Sequence, residues 1–382
     1  MTLVGALAGR GRAAVDPRGS IRVVGEPWSL DWWVGADDRW RLPAGEPSVR
    51  QHTIDGTPVV ETAMRVPGGD AVQRVYGIGG PGGLVIVEVE NDSPAAFVVA
   101  FAVVGARSVA AAGAVLEVDD RPAVFLPAPP ARWAVGTTAL DPATVAFETG
   151  PFPSRRAGRK ELVHAAVLAP LSHRSRLRIA LATSGEDPGP VELAQAASPA
   201  DAAAGWHALL DHGMRAVLPD AKVQADVALA RSQILLDPDP GAVTTAALED
   251  WGHDTEAAWA WRGLSFGARR AARRRHGPFD DSTPGGLLES VRRMLVRDDR
   301  ELELAPGLPG AWHGQDLEVF DAPTRGGRLS YALRWHGDRA ALLWEVGDPV
   351  DGLVLRAPAL DSRWSARDPS GEALLGPVPI PH

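Results

Sequence analysis

At 382 residues the chain is long enough for two or three domains, taking ~150 residues per domain. A composition of 45% hydrophobic and 23% charged residues excludes a disordered or fibrous protein. The net charge of −9 argues against nucleic acid, the lack of cysteine excludes disulfides and thiol chemistry, and no apolar run approaches the ~18 residues of a membrane span.

Residues 1–8 are too short for a secretory hydrophobic core, and Arg10 and Arg12 follow them instead of preceding them, so a cytoplasmic protein is expected. From about residue 20 to 185 the pattern predicts strands. In residues 59–66, Val60, Thr62, Met64 and Val66 share one side while Glu61 and Arg65 take the other. Residues 84–90 (LVIVEVE) are rich in β-branched side chains and end at the turn cluster Asn91-Asp92-Ser93-Pro94, ahead of a strand at 95–104. Further strands are expected at 114–118, 123–126, 132–135, 162–168 and 177–183. Turns every 10 to 20 residues, with no long helix between them, predict an antiparallel sandwich.

After the breaker Glu186-Asp187-Pro188-Gly189-Pro190 the helical period takes over. Ser198-Pro199-Ala200-Asp201 reads as a capping box with proline at the first helical position. Pro219-Asp220 starts a second helix, and helices are also expected at 241–251, 254–261 and from a Ser265 cap to Arg275. Residues 278–286 read as a loop. From about 300 the period returns to two, with strands at 301–304, 316–320, 329–335, 340–346 and 352–356. Leu329, Tyr331, Leu333 and Trp335 share a face there.

Several residue groups suggest chemistry. Gly77-Ile78-Gly79-Gly80-Pro81-Gly82 is formally a dinucleotide fingerprint, but a strand follows it where a phosphate-binding helix is needed, so it reads as a hairpin loop. His207 and His212 are five apart, on different helix faces, and no metal site is expected. Arg269, Arg270, Arg273, Arg274 and Arg275 could grip a phosphate or an acidic partner, or simply complement a helix C-terminus. Trp28, Trp32, Trp33 and Trp40 lie near Asp31, Asp37, Asp38 and Arg39. Sugar recognition sets an aromatic face against ring C–H groups and uses carboxylates and guanidinium groups for the hydroxyls. Core packing of the tryptophans, with a turn at Asp37-Asp38-Arg39, explains the same residues. Glu249, Asp250, Asp254 and Glu256 fall within eight residues; they suit an acid–base pair for glycoside hydrolysis, or a helix–turn–helix junction with Gly252 closing one helix and Asp254 capping the next.

Gly11-Arg12-Ala13-Ala14-Val15-Asp16-Pro17-Arg18-Gly19-Ser20-Ile21 resembles the opening of the N-terminal β-supersandwich in bacterial glucoamylase/trehalase-type glycoside hydrolases. Leu304-Ala305-Pro306-Gly307-Leu308-Pro309 through Trp312, then Thr324-Arg325-Gly326-Gly327-Arg328-Leu329-Ser330 and Leu342-Leu343-Trp344, resemble the C-terminal β-sandwich of these six-hairpin enzymes. Residues 219–236 resemble the first helix of their helical toroid. The resemblance implies the flanking modules and a carbohydrate setting. The toroid itself needs twelve helices, roughly 200 residues at ~12 per helix and ~5 per connection. Residues 190–300 supply 111. A complete ring does not fit, and no residue is matched to the family's catalytic acid or base.

The expected architecture is mainly β with a helical middle: an N-terminal antiparallel β-supersandwich (1–187), a short, truncated toroid-like helical segment (188–299) and a small C-terminal β-sandwich (300–382). The expected function is non-catalytic carbohydrate-related binding or assembly, with an oligo- or polysaccharide contacted by Trp32, Trp33, Asp37, Asp38 and Arg39. No cofactor, metal, nucleic acid or membrane partner is expected. One alternative is a minimal glycoside hydrolase or glycan-modifying enzyme using Glu249, Asp250 or Glu256. Another is a structural protein that forms a homodimer through the helical segment.

Overall fold

The β-branched run at the centre of the first half forms the strand Leu84–Asp92, flanked by antiparallel Gly69–Ile78 and Arg176–Ala182. Such residues fit a pleated surface that is covered on both faces. The computed structural model describes residues 1–7, 11–37, 39–79, 83–130, 132–137, 155–156, 162–183, 193–274, 279–299 and 301–378. The protein is mainly β, with antiparallel sheets at both ends and a helical middle. Its chain divides into two units, Met1–Gly205 and Trp206–His382.

Among the described residues, the first unit holds an eight-stranded and a nine-stranded sheet, antiparallel throughout. The first sheet includes Ser29–Gly35 beside Phe97–Ala106, which in turn pairs with Val163–Leu171. The second is centred on Leu84–Asp92. Val34, Phe101 and Val167 from the first sheet share one buried core with Met64, Val87 and Ile179 from the second, so the two face each other as a sandwich. Sequence patterning passes over Gly69–Ile78, whose apolar and polar residues come in pairs instead of alternating, and over the short strands Thr2–Gly5 and Arg12–Val15. Ile78 pairs directly with Leu84, so the glycine-rich run joins two antiparallel strands. Its residues 80–82 lie outside the described residues.

Helix α1 (Pro199–Leu210) opens on the expected capping box. The Asp201 amide donates to the Ser198 hydroxyl at 3.1 Å, and the Asp201 carboxylate accepts from the Ser198 amide at 3.1 Å. Helix α2 (Ala221–Leu236) is capped by Asp220, which accepts from the Lys222 and Val223 amides. There follow α3 (Ala242–Asp250), α4 (Asp254–Gly263), α5 (Phe266–Arg274) and α6 (Pro284–Leu295). Six α-helices among the described residues are half of what the closed ring would need.

The start of α6 lies where a loop is expected. Thr283 caps it and Pro284 takes its first position, but Gly285 and Gly286 disguise the turn. Those glycines answer a steric demand, because a Cβ on Gly286 would sit 2.1 Å from the Asp280 carbonyl oxygen. In the second unit a five-stranded sheet runs Arg215–Val217, Leu317–Thr324, Gly327–His336, Arg339–Gly347, Ser370–Pro377. Leu329, Tyr331 and Leu333 are buried on one of its faces, as their spacing predicts. A four-stranded sheet contains the parallel pair Leu302–Leu304 and Leu355–Ala357. No helix among the described residues is long and apolar enough to cross a membrane.

Candidate functional site

The tryptophan segment is a core strand. Successive residues of Ser29–Gly35 point to opposite faces of the sheet. Trp32, 1% exposed, enters the core between the sheets, and its indole donates to the Arg18 carbonyl at 3.2 Å. Trp33, 7% exposed, packs on the other face with Ala100, Ala102, Ala134 and Ala166. Neither ring face is open to a sugar, which corrects the expectation of a stacking platform here. Burial costs an indole little and gains much apolar contact, so packing takes both rings. Arg39 is committed to an ion pair with Glu46. Asp37 is exposed and borders a hollow of about 10 Å3, the space of a single water. Asp38 lies outside the described residues. Burial raises the pKa of Asp31, whose carboxylate accepts from the Ser20 hydroxyl.

The carboxylates of the helical segment fare differently. Helix α3 ends in a Schellman motif. The Gly252 amide donates to the Glu249 carbonyl at 3.1 Å, and the His253 amide to that of Leu248 at 2.9 Å, with Gly252 at φ +79°. This closure leaves Glu249 and Asp250 on the last turn, at the wall of a cleft of about 780 Å3 within the second unit. Asp254 also lines it. Asp254 stands at the first position of α4 and not at its cap; the cap position belongs to His253, which makes no side-chain cap bond. The Asp254 carboxylate instead meets the Arg328 guanidinium at 3.5 Å. Glu256 lies on α4, outside the cleft lining.

Helix α6 adds Glu289, Arg292 and Arg293 to the lining. Arg292 is buried and ties three segments together. Its Nη1 donates to the Val296 carbonyl at 2.8 Å, its Nη2 to that of Pro323 at 2.7 Å and its Nε to that of Asp250 at 3.4 Å. The end of α3, the end of α6 and the strand Leu317–Thr324 are thereby held in one arrangement. Past α6, Arg297, Asp298 and Asp299 continue the lining. The Arg325 amide donates to Asp298, and the Arg325 guanidinium to the Asp299 carbonyl at 3.3 Å. Trp261 from α4 and Arg273 from α5 complete it, with the guanidinium over the indole, 5.8 Å from the ring centroid. Five arginines face six carboxylates around this space.

Glu249 and Asp250 are thus the sequence candidates that the fold brings together. Glu289, Arg292 and Arg293 escape sequence reading because their helix is hidden by its glycine start. The signal that could reveal them is the spacing Leu288, Val291, Leu295 behind Thr283-Pro284. Among the described residues no cluster of three or more His, Asp or Glu is placed to hold a metal ion. The sequence matches no family model and no curated protein.

Proposed function

We propose that the chain is a carbohydrate-binding protein that takes an oligo- or polysaccharide into the cleft of its second unit. The observation that carries this reading is the lining itself. A sugar hydroxyl both donates and accepts, so carboxylates and guanidinium groups around one space suit a run of vicinal hydroxyls. Half-exposed Trp261 offers an indole for the C–H side of a sugar ring. The volume falls within the roughly 300–1,000 Å3 of small-ligand sites. Nucleic acid is a poor fit, because six carboxylates repel a polyphosphate. The glycosidase-like phrases at both ends of the chain point the same way. Calorimetry with maltose, trehalose and larger α-glucans tests the reading. Binding heat that Trp261→Ala abolishes supports it; no heat with any glycan contradicts it.

A glycan-cleaving or glycan-modifying enzyme is the second reading, favoured by the presence of Glu249 and Asp250 on the same cleft. Under that reading Glu249→Gln removes hydrolysis of a bound glycan while the chain stays folded. Retention of full activity in that variant, or no activity in the wild type, rejects it.

A further inference from the structure

We infer that the ligand of this cleft carries a carboxylate, as a hexuronate does, and that Arg273 and Arg293 receive it. The inference rests on the cleft reading above and adds the class of sugar. Both side chains line the cleft. Each guanidinium is braced on an aromatic ring: Arg273 on Trp261, 5.8 Å from the centroid, and Arg293 on Phe279, 4.8 Å from the centroid. A ring engages the face of the guanidinium plane and leaves its N–H edges able to donate. Among the described residues neither group forms an ion pair or a side-chain hydrogen bond.

The other cations of the lining are occupied. Arg297 bonds Glu303 through Nε at 2.6 Å, Arg325 donates to the Asp299 carbonyl, and Arg292 is spent on three backbone carbonyls. Two oriented, uncommitted forks therefore remain in a space otherwise rich in carboxylates. A planar, singly charged carboxylate matches the fork in bidentate fashion. A phosphate dianion would bring two charges on one sugar where a hexuronate brings one, among six carboxylates, so at each sugar the balance favours the carboxylate.

Calorimetry of the full chain with trigalacturonate, its fully methyl-esterified form, maltotriose and glucose 6-phosphate tests this. The acid is expected to bind at least about tenfold more tightly than the ester, the size of a charge-assisted pair. That advantage should shrink with added salt and vanish in Arg273→Gln/Arg293→Gln, where acid and ester are expected to bind equally. Arg273→Lys/Arg293→Lys, which keeps the charge and loses the fork, covers the case of a poorly folded glutamine variant and should also lose most of the advantage. Equal affinity for acid and ester, or binding of maltotriose alone, overturns the carboxylate inference and leaves the cleft reading standing. Tighter binding of glucose 6-phosphate than of trigalacturonate also overturns it. No binding of any of the four overturns both.

Discussion

Arg231 and Trp251 meet inside the second unit, with the guanidinium carbon 5.7 Å from the indole centroid. Arg231 is buried, and its Nη2 donates to the carbonyls of Leu210 and His212. Trp251 is fully buried, and its Nε1 donates to the Leu288 carbonyl at 3.2 Å. The pair thus links the end of α1 and the turn after it, through α2, to two segments of the cleft lining, since Trp251 follows Asp250 and Leu288 precedes Glu289.

Arg231→Ala is therefore expected to destabilise the second unit by about 3 kcal/mol, because it leaves buried carbonyls without their donor. Urea denaturation followed by tryptophan fluorescence measures it. A change below about 0.5 kcal/mol, the usual scale of a surface substitution, would show that the guanidinium is dispensable.

His253 sets the acid limit of this region. Burial, then the charges of Arg231 and His212, pushes its pKa from 6.5 down to about 4. The folded state holds the ring neutral while the unfolded chain binds a proton below 6.5, so this contribution is complete above pH 6.5 and is lost as the pH falls from 6.5 to 4. The loss amounts to about 3 kcal/mol. His253→Gln, which cannot titrate, should flatten stability over that window. An unchanged acid limb in the variant would assign acid sensitivity elsewhere.

In the first unit, fully buried Glu88 accepts from Arg178 Nε at 2.6 Å and faces Arg74 Nη1 at 3.5 Å across adjacent strands. Removing it takes the charged partner from Arg178, which keeps only the Ala196 carbonyl, while Arg74 retains Glu61 and Glu90. Glu88→Ala should cost about 2 to 3 kcal/mol, the scale of a charge-assisted hydrogen bond. Thermal unfolding that moves by no more than a surface control would reject a structural role for this network.

Trp32→Ala separates packing from binding. It opens a cavity in the sandwich core and should cost about 3 to 5 kcal/mol. Glycan affinity of the folded protein should stay at the wild-type value. A selective loss of binding without loss of stability would return the ligand site to this strand.

Local rules in the sequence reached far into the fold. The capping box at Ser198, the αL closure at Gly252 and the alternation of Leu329, Tyr331 and Leu333 are set by neighbours within a few residues, so they are legible without tertiary information. The same is true of Glu249 and Asp250 as a carboxylate cluster. What stays hidden depends on distant partners. Trp32 and Trp33 look like a platform until strand pairing with Phe97–Ala106 sends one ring into each face. Gly285 and Gly286 look like a loop until Thr244 is seen to crowd the first and the Asp280 carbonyl the second. The cleft is lined by segments far apart in sequence, and Arg292 ties two of them across 42 residues.

The cleft assignment is tested most directly by 19F NMR of the chain labelled with 5-fluorotryptophan, its signals assigned by single Trp→Phe variants. Titration with a glycan that binds is predicted to move the Trp261 resonance and to leave those of Trp32 and Trp33 in place. Movement of Trp32 or Trp33 with a stationary Trp261 would contradict it.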